Sequence, residues 1–185
     1  MNHESPNERL ERMVDELASR EAIRELIARY GMAVDDRDME SLQDCFCEDG
    51  KFRYADGSVV LDGREAVLGY YSQRLGQLGA SYHYPHSTII DFASRDEASG
   101  IVNAHAELGM PSGDTFWVAL RYHDNYRRQQ GRWRFADREI HLMYYLSLAD
   151  LPAALTSPLR KRMTEPHRIA DIPEGLESWQ KFRGR

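Results

Sequence analysis

The chain has 185 residues, 42% hydrophobic and 29% charged, a balance that fits one globular domain with room for a sizeable core. Its net charge of −6 argues against a general affinity for nucleic acid or anionic membrane. No run approaches the roughly 20 apolar residues of a membrane span, and the polar start from Met1 to Arg12 lacks the apolar centre of a secretion signal, so a cytoplasmic protein is expected.

Residues 1–14 read as a polar, flexible lead-in. From Ala18 to Val34 the apolar positions Ile23, Leu26, Ile27, Tyr30 and Val34 recur at three- and four-residue spacing, which predicts an amphipathic helix ending at Asp35-Asp36. Asp38 is placed to cap a second short helix carrying Met39, Leu42 and Phe46, which Glu48-Asp49-Gly50 then stops. Cys45 and Cys47 lie too close for an easy disulfide and form a poor zinc site, so buried reduced thiols are expected.

Two short strands, Lys51 to Tyr54 and Ser58 to Leu61, flank the turn Ala55-Asp56-Gly57. Asp62 and Glu65 have capping-box spacing, so a third helix is expected from about Arg64 to Leu78. Strand period then takes over in Thr88–Phe92, Gly100–Leu108 and Thr115–Arg127. A last strand, Trp133–Tyr145, follows the turn at Gln130-Gly131. Helices first and an antiparallel meander afterwards predict an α+β domain, helices packed on one face of a strongly curved sheet with a cavity on the concave side. The stretch 149–185, with four prolines and little periodicity, reads as an arm or lid on the domain at 15–148, or on a neighbouring subunit.

Several patterns are missing. Neither a glycine-rich phosphate loop nor Gly-x-Ser-x-Gly occurs, which points away from nucleotide cofactors and the simplest hydrolases. His83, His86, His105, His123 and His141 are scattered without metal-site spacing, so neither a metal nor a cofactor is expected.

Leu17 to Ile23, Tyr30, Val34 to Asp38, His83-Tyr84-Pro85-His86, Asn125 to Arg128 and Gly131 to Phe135 carry a joint spacing. Across Ala18 to Leu148 it resembles the SnoaL-like branch of the nuclear transport factor 2-like superfamily, which includes scytalone dehydratase, hexachlorocyclohexane dehydrochlorinase and bile-acid 7α-dehydratase. The resemblance implies a cone of curved sheet and three helices, often trimeric and sometimes dimeric, with its site inside. It implies a catalytic aspartate at Asp35, a catalytic histidine at His83, and pocket tyrosines at Tyr30 and Tyr54. Leu108 falls nearest a second histidine of scytalone dehydratase, and Arg138 lies near an arginine of the dehydrochlorinases.

The chemistry of these residue types fits that implication. Histidine is the natural base near neutral pH, and a carboxylate on one ring nitrogen fixes its tautomer and stabilises the imidazolium. Tyr54 and Tyr30 would donate to a developing enolate, and Arg138 would stabilise a leaving group or a substrate anion. Phe52, Leu78, Phe116 and Val118 would supply an apolar wall, with His86 as an alternative base. The expectation is a cofactor-free lyase of the dehydratase type acting on a small hydrophobic cyclic or steroid-like hydroxylated carbonyl compound. An enolising isomerase, a polyketide cyclase, a binding module and the small subunit of a ring-hydroxylating dioxygenase share the scaffold. Blander roles stay open: Asp35 as a solvated helix-end charge, His83 as a loop residue, Tyr30 as core, and Arg138 paired with Glu107 or Glu139.

Overall fold

Ser5 opens the first helix of the computed structural model, which describes residues 5–184. The Ser5 hydroxyl accepts from the Glu8 N–H, Glu8 reaches back to the Ser5 N–H, and Pro6 fills the first helical position. Helix α1 therefore spans Pro6–Asp36. Residues 6–14 are helical rather than a flexible lead-in, and Met1 to Glu4 lie outside the described residues. The apolar side chains of this first part, Leu10, Met13, Val14 and Leu17, face solvent, so they carried no core signal. The expected stripe, Ile23, Leu26, Ile27, Tyr30 and Val34, is buried. Each such burial contributes about 1.5–3 kcal/mol.

Asp38 caps α2 (Met39–Cys45) through the Ser41 N–H, as expected. Phe46 already belongs to β1 (Phe46–Tyr54), so the acidic cluster at Glu48 lies within a strand and does not terminate the helix. A turn leads to β2 (Val60–Asp62) and then to α3 (Arg64–Leu75). Gly63, without a side-chain cap, occupies the position expected of Asp62. The meander follows as β3 (Ser81–Phe92), β4 (Glu97–Gly109), β5 (Thr115–Gln129) and β6 (Arg132–Ser147). Gln130 and Gly131, both at positive φ, form its last tight turn.

The curved, unclosed sheet runs β2-β1-β6-β5-β4-β3. The meander is antiparallel, whereas β1 joins β6 in parallel, a pairing that strand periodicity does not reveal. Alternation sends Val102, Ala104, Ala106 and Leu108 of β4, and Val118, Leu120 and Tyr122 of β5, toward the helices. Two bulges matter for the site. One gives β3 an extra residue between Pro85 and Thr88, and the other gives β6 an extra residue, Ala136, between Phe135 and Asp137.

After β6 the chain packs back on its own domain: α4 (Leu151–Ala154) lies against β6, Ala170 and Ile172 are buried, and a last short helix, α5 (Glu177–Arg183), buries no residue. Lys161 bridges to Tyr145 of β6 and holds both Asp56 and Asp171. Arg160 grips Glu174 in two hydrogen bonds. Among the described residues, no helix is long and apolar enough to cross a membrane.

Candidate active site

Asp35 sits in the last turn of α1, where Arg37 closes the helix in the left-handed conformation. The Arg37 guanidinium donates to the Asp35 and Gly79 carbonyls and to the Ser81 hydroxyl at 2.6 Å, fixing the helix end to the start of β3. The Asp35 carboxylate then meets β3 in three places. Its Oδ2 accepts from the His83 backbone N–H at 2.7 Å, its Oδ1 from His83 Nδ1 at 2.6 Å, and Ser81 adds a longer contact at 3.3 Å. α1 packs on β3 at Gly31, where a Cβ would stand in ordinary contact with the His83 Cβ at 3.5 Å.

An ionised carboxylate can only accept, so Nδ1 carries the proton, and in the neutral imidazole Nε2 then keeps its lone pair. Nε2 has no protein partner among the described residues, and the His83 ring lines an interior cavity of about 80 Å³. A base, its orienting carboxylate and an apolar chamber are thus assembled from a helix end and one strand.

The cavity wall is rich in phenols. Tyr30, Tyr54, Tyr70, Tyr71 and Tyr122 line it together with Phe52, Leu78, Leu108 and Val118. The Tyr30 and Tyr71 hydroxyls are in close hydrogen-bond contact. Burial pushes Tyr30, Tyr54, Tyr71 and Tyr122 upward, so these phenols stay protonated and can donate. Larger depressions, of about 510–690 Å³, lie along the outside of α1 and beside α5. They hold neither Asp35 nor His83.

Arg138 is placed differently from the expectation. The extra residue at Ala136 turns it onto the same face as Trp133 and Phe135, where it is fully buried. Its partner is Asp124, not Glu107 or Glu139: Nε and Nη2 donate to the two carboxylate oxygens at 2.9 and 2.8 Å. The rings of Phe135, Tyr122 and Tyr30 surround the guanidinium at 3.8–4.2 Å, and it supports the wall from behind without lining the cavity. Tyr126 adds a third hydrogen bond to Asp124 at 2.8 Å.

His86 is also corrected. Three residues after His83, it falls on the opposite, outer face, exposed, with Nε2 2.7 Å from His105 Nδ1. His105 keeps the outward phase of β4, stacked on Tyr84, which leaves Leu108 facing the cavity. Phe116 is half-buried against Tyr145, beyond the cavity wall. Tyr70, Tyr71, Tyr122, Tyr145 and Arg74 went unnoticed in the sequence. Two carried a signal: Tyr71 shares the buried stripe Val67-Tyr71-Leu75 of α3, and Tyr122 alternates in phase with Val118 and Leu120 of β5.

Both cysteines are free and buried, and burial pushes the Cys45 thiol up to about 11, away from nucleophilic use. Among the described residues, no group of three or more His, Cys, Asp or Glu side chains is placed to hold a metal ion.

The family described as the SnoaL-like domain matches residues 15–139. The chain is 27% identical over 140 residues to the gamma-hexachlorocyclohexane dehydrochlorinase of Sphingobium indicum, covering 75% of this chain and 89% of that protein. The solved structure of a Type2 hexachlorocyclohexane dehydrochlorinase (LinA) superposes with a TM-score of 0.69 at 25% identity, covering 73% of this chain and 92% of that one. A LinA-type3 enzyme from Novosphingobium barchaimii gives 0.68 at 25% identity, over 74% and 94%.

Proposed function

Because this chain belongs to the SnoaL-like domain family, we propose that it is a cofactor-free lyase in which His83 is the base and Asp35 its orienting partner. The observation that carries the reading is the Nδ1–Oδ1 hydrogen bond of 2.6 Å beside a phenol-lined apolar cavity. His83 Nε2 takes a proton from a carbon next to an electron-withdrawing group. The C–H electron pair becomes the new double bond, and the leaving group departs from the adjacent carbon with its bonding pair. Asp35 stays ionised and stabilises the imidazolium. If the leaving group is hydroxide, the imidazolium returns the proton and water leaves.

Tyr54 and Tyr30 donate to the oxygen on which negative charge develops, in a site that excludes water. Arg138 holds Tyr30 and Tyr122 in place. A cavity of about 80 Å³ suits a single ring; most ligand sites are several times larger. A steroid-like substrate would need the segment Lys161–Arg168 to move aside, so this part of the tail acts as a lid.

The test is a panel of cyclic β-hydroxy ketones in deuterated buffer. Enone formation is followed by ultraviolet absorbance and α-carbon exchange by NMR. Enone formation that His83→Ala abolishes supports the lyase. Exchange without enone points to an enolising isomerase or cyclase, and neither signal on any substrate overturns the enzyme reading.

A further inference from the structure

One charged side chain in the cavity wall has no part in the chemistry above. Among the described residues that line the cavity, Arg74 of α3 is the one permanently charged group. Its Nη2 donates to the Tyr145 hydroxyl at 3.1 Å and approaches the Met163 sulfur at 3.6 Å, and both partners are neutral. Among the described residues no carboxylate lies within ion-pair distance of it. Arg74 as a whole is half-buried, with its guanidinium at the cavity wall and unneutralised by the protein.

Its position is equally specific. Arg74 lines the inner cavity and also a second space of about 90 Å³ under the tail, reached past Tyr54, Tyr70, Leu142 and Tyr145. His83 lines only the inner cavity. Lys161 and Arg168 flank the outer space, with Asp56 between them and Asp171 behind Lys161. Those two carboxylates serve Lys161 and Arg168, which leaves Arg74 the free positive charge at the throat. A half-desolvated guanidinium with unused N–H donors recognises a planar carboxylate through paired hydrogen bonds, and it does so far better than an ammonium of equal charge.

We propose that Arg74 is a substrate-binding residue and that the substrate carries a carboxylate. Its ring occupies the inner cavity by His83, and the acid group sits in the throat under the tail. This deepens the lyase reading and rests on the same cavity.

The probes are 4-oxocyclohexanecarboxylate and its methyl ester, which share a ring ketone and differ in charge. Binding is titrated by ligand-observed NMR at neutral pH and moderate salt, and needs no turnover. The acid binds the wild-type protein at least tenfold more tightly than the ester. Arg74→Gln removes that preference with little effect on ester binding, and Arg74→Lys keeps part of it. A melting curve for each variant separates misfolding from lost recognition. Equal binding of acid and ester, a preference that survives Arg74→Gln, or no binding of either probe overturns the proposal. Loss of turnover in His83→Ala with the acid preference intact upholds both readings. Unchanged turnover in His83→Ala with the preference intact overturns the base assignment alone.

Discussion

Replacing Asp124 by asparagine would remove one charge and almost no volume from the centre of the sheet. Asp124 and Arg138 have no exposed side-chain surface, and each carboxylate oxygen receives a guanidinium N–H at 2.8–2.9 Å. In the variant that guanidinium stays charged and buried with only a neutral amide to face. Arg138 Nη1 already lacks a hydrogen-bond partner among the described residues, so no spare acceptor is at hand. Breaking a buried pair from one side costs about 3–5 kcal/mol. Because no cavity is created, nearly all of this is electrostatic. The three surrounding rings recover part of it, about 1–2 kcal/mol at most. A net loss near 3 kcal/mol corresponds to a fall in melting temperature of roughly 10 °C for a chain of this size.

Urea denaturation of wild type, Asp124→Asn, Arg138→Met and the double variant gives the coupling energy directly. The double variant should be more stable than Asp124→Asn alone, since an uncharged pair carries no such penalty. A single variant within about 1 kcal/mol of wild type, with additive effects in the cycle, refutes the argument that this pair depends on mutual neutralisation.

Asp35→Asn should lower kcat/KM at least about a thousandfold, because the amide presents the wrong partner to Nδ1. Its far-ultraviolet circular dichroism should not change, and steady-state kinetics on any substrate found active decides the matter. Gly100→Ala should cost about 1–3 kcal/mol in thermal stability, because the new Cβ would lie 2.9 Å from both the Ile89 carbonyl and the Tyr126 ring. Burial raises Asp56, but Lys161 and Ser58 outweigh it and hold the carboxyl well below its usual range. A depressed folded-state pKa contributes stability in full above about pH 4 and loses it as the pH falls further, so the tail should stay docked in mild acid. NMR shifts of Lys161 and Arg168 across an acid titration test this. Asp56→Asn should raise tryptic cleavage at those residues in neutral buffer, and an unchanged digest would remove Asp56 as the tail's anchor.

Asp35 and His83 were legible through the family resemblance: helical period reached only the helix end at Asp35, and strand period began at Thr88, short of His83, although β3 starts at Ser81. The start of α1 was not. Leu10 to Leu17 repeat correctly for a helix but bury nothing in this chain, and the cap at Ser5 and Glu8 was the better signal. Beyond Tyr30 and Tyr54, the phenol lining was not legible because Tyr70, Tyr71, Tyr122 and Tyr145 come from α3, β5 and β6 and meet only in three dimensions. Arg138 went wrong because it follows a bulge, and alternation counted straight through a bulge assigns the opposite face.

Ala136 therefore acts as a one-residue frame change in the strand's inside–outside code. Were Ala136 paired as an ordinary strand residue instead, Asp137 and not Arg138 would be offered to the interior, placing two carboxylates beside each other and no cation. A single-residue insertion should thus be tolerated in the tail and loops but not between Phe135 and Arg138, where one added codon would reverse the sign of a buried charge.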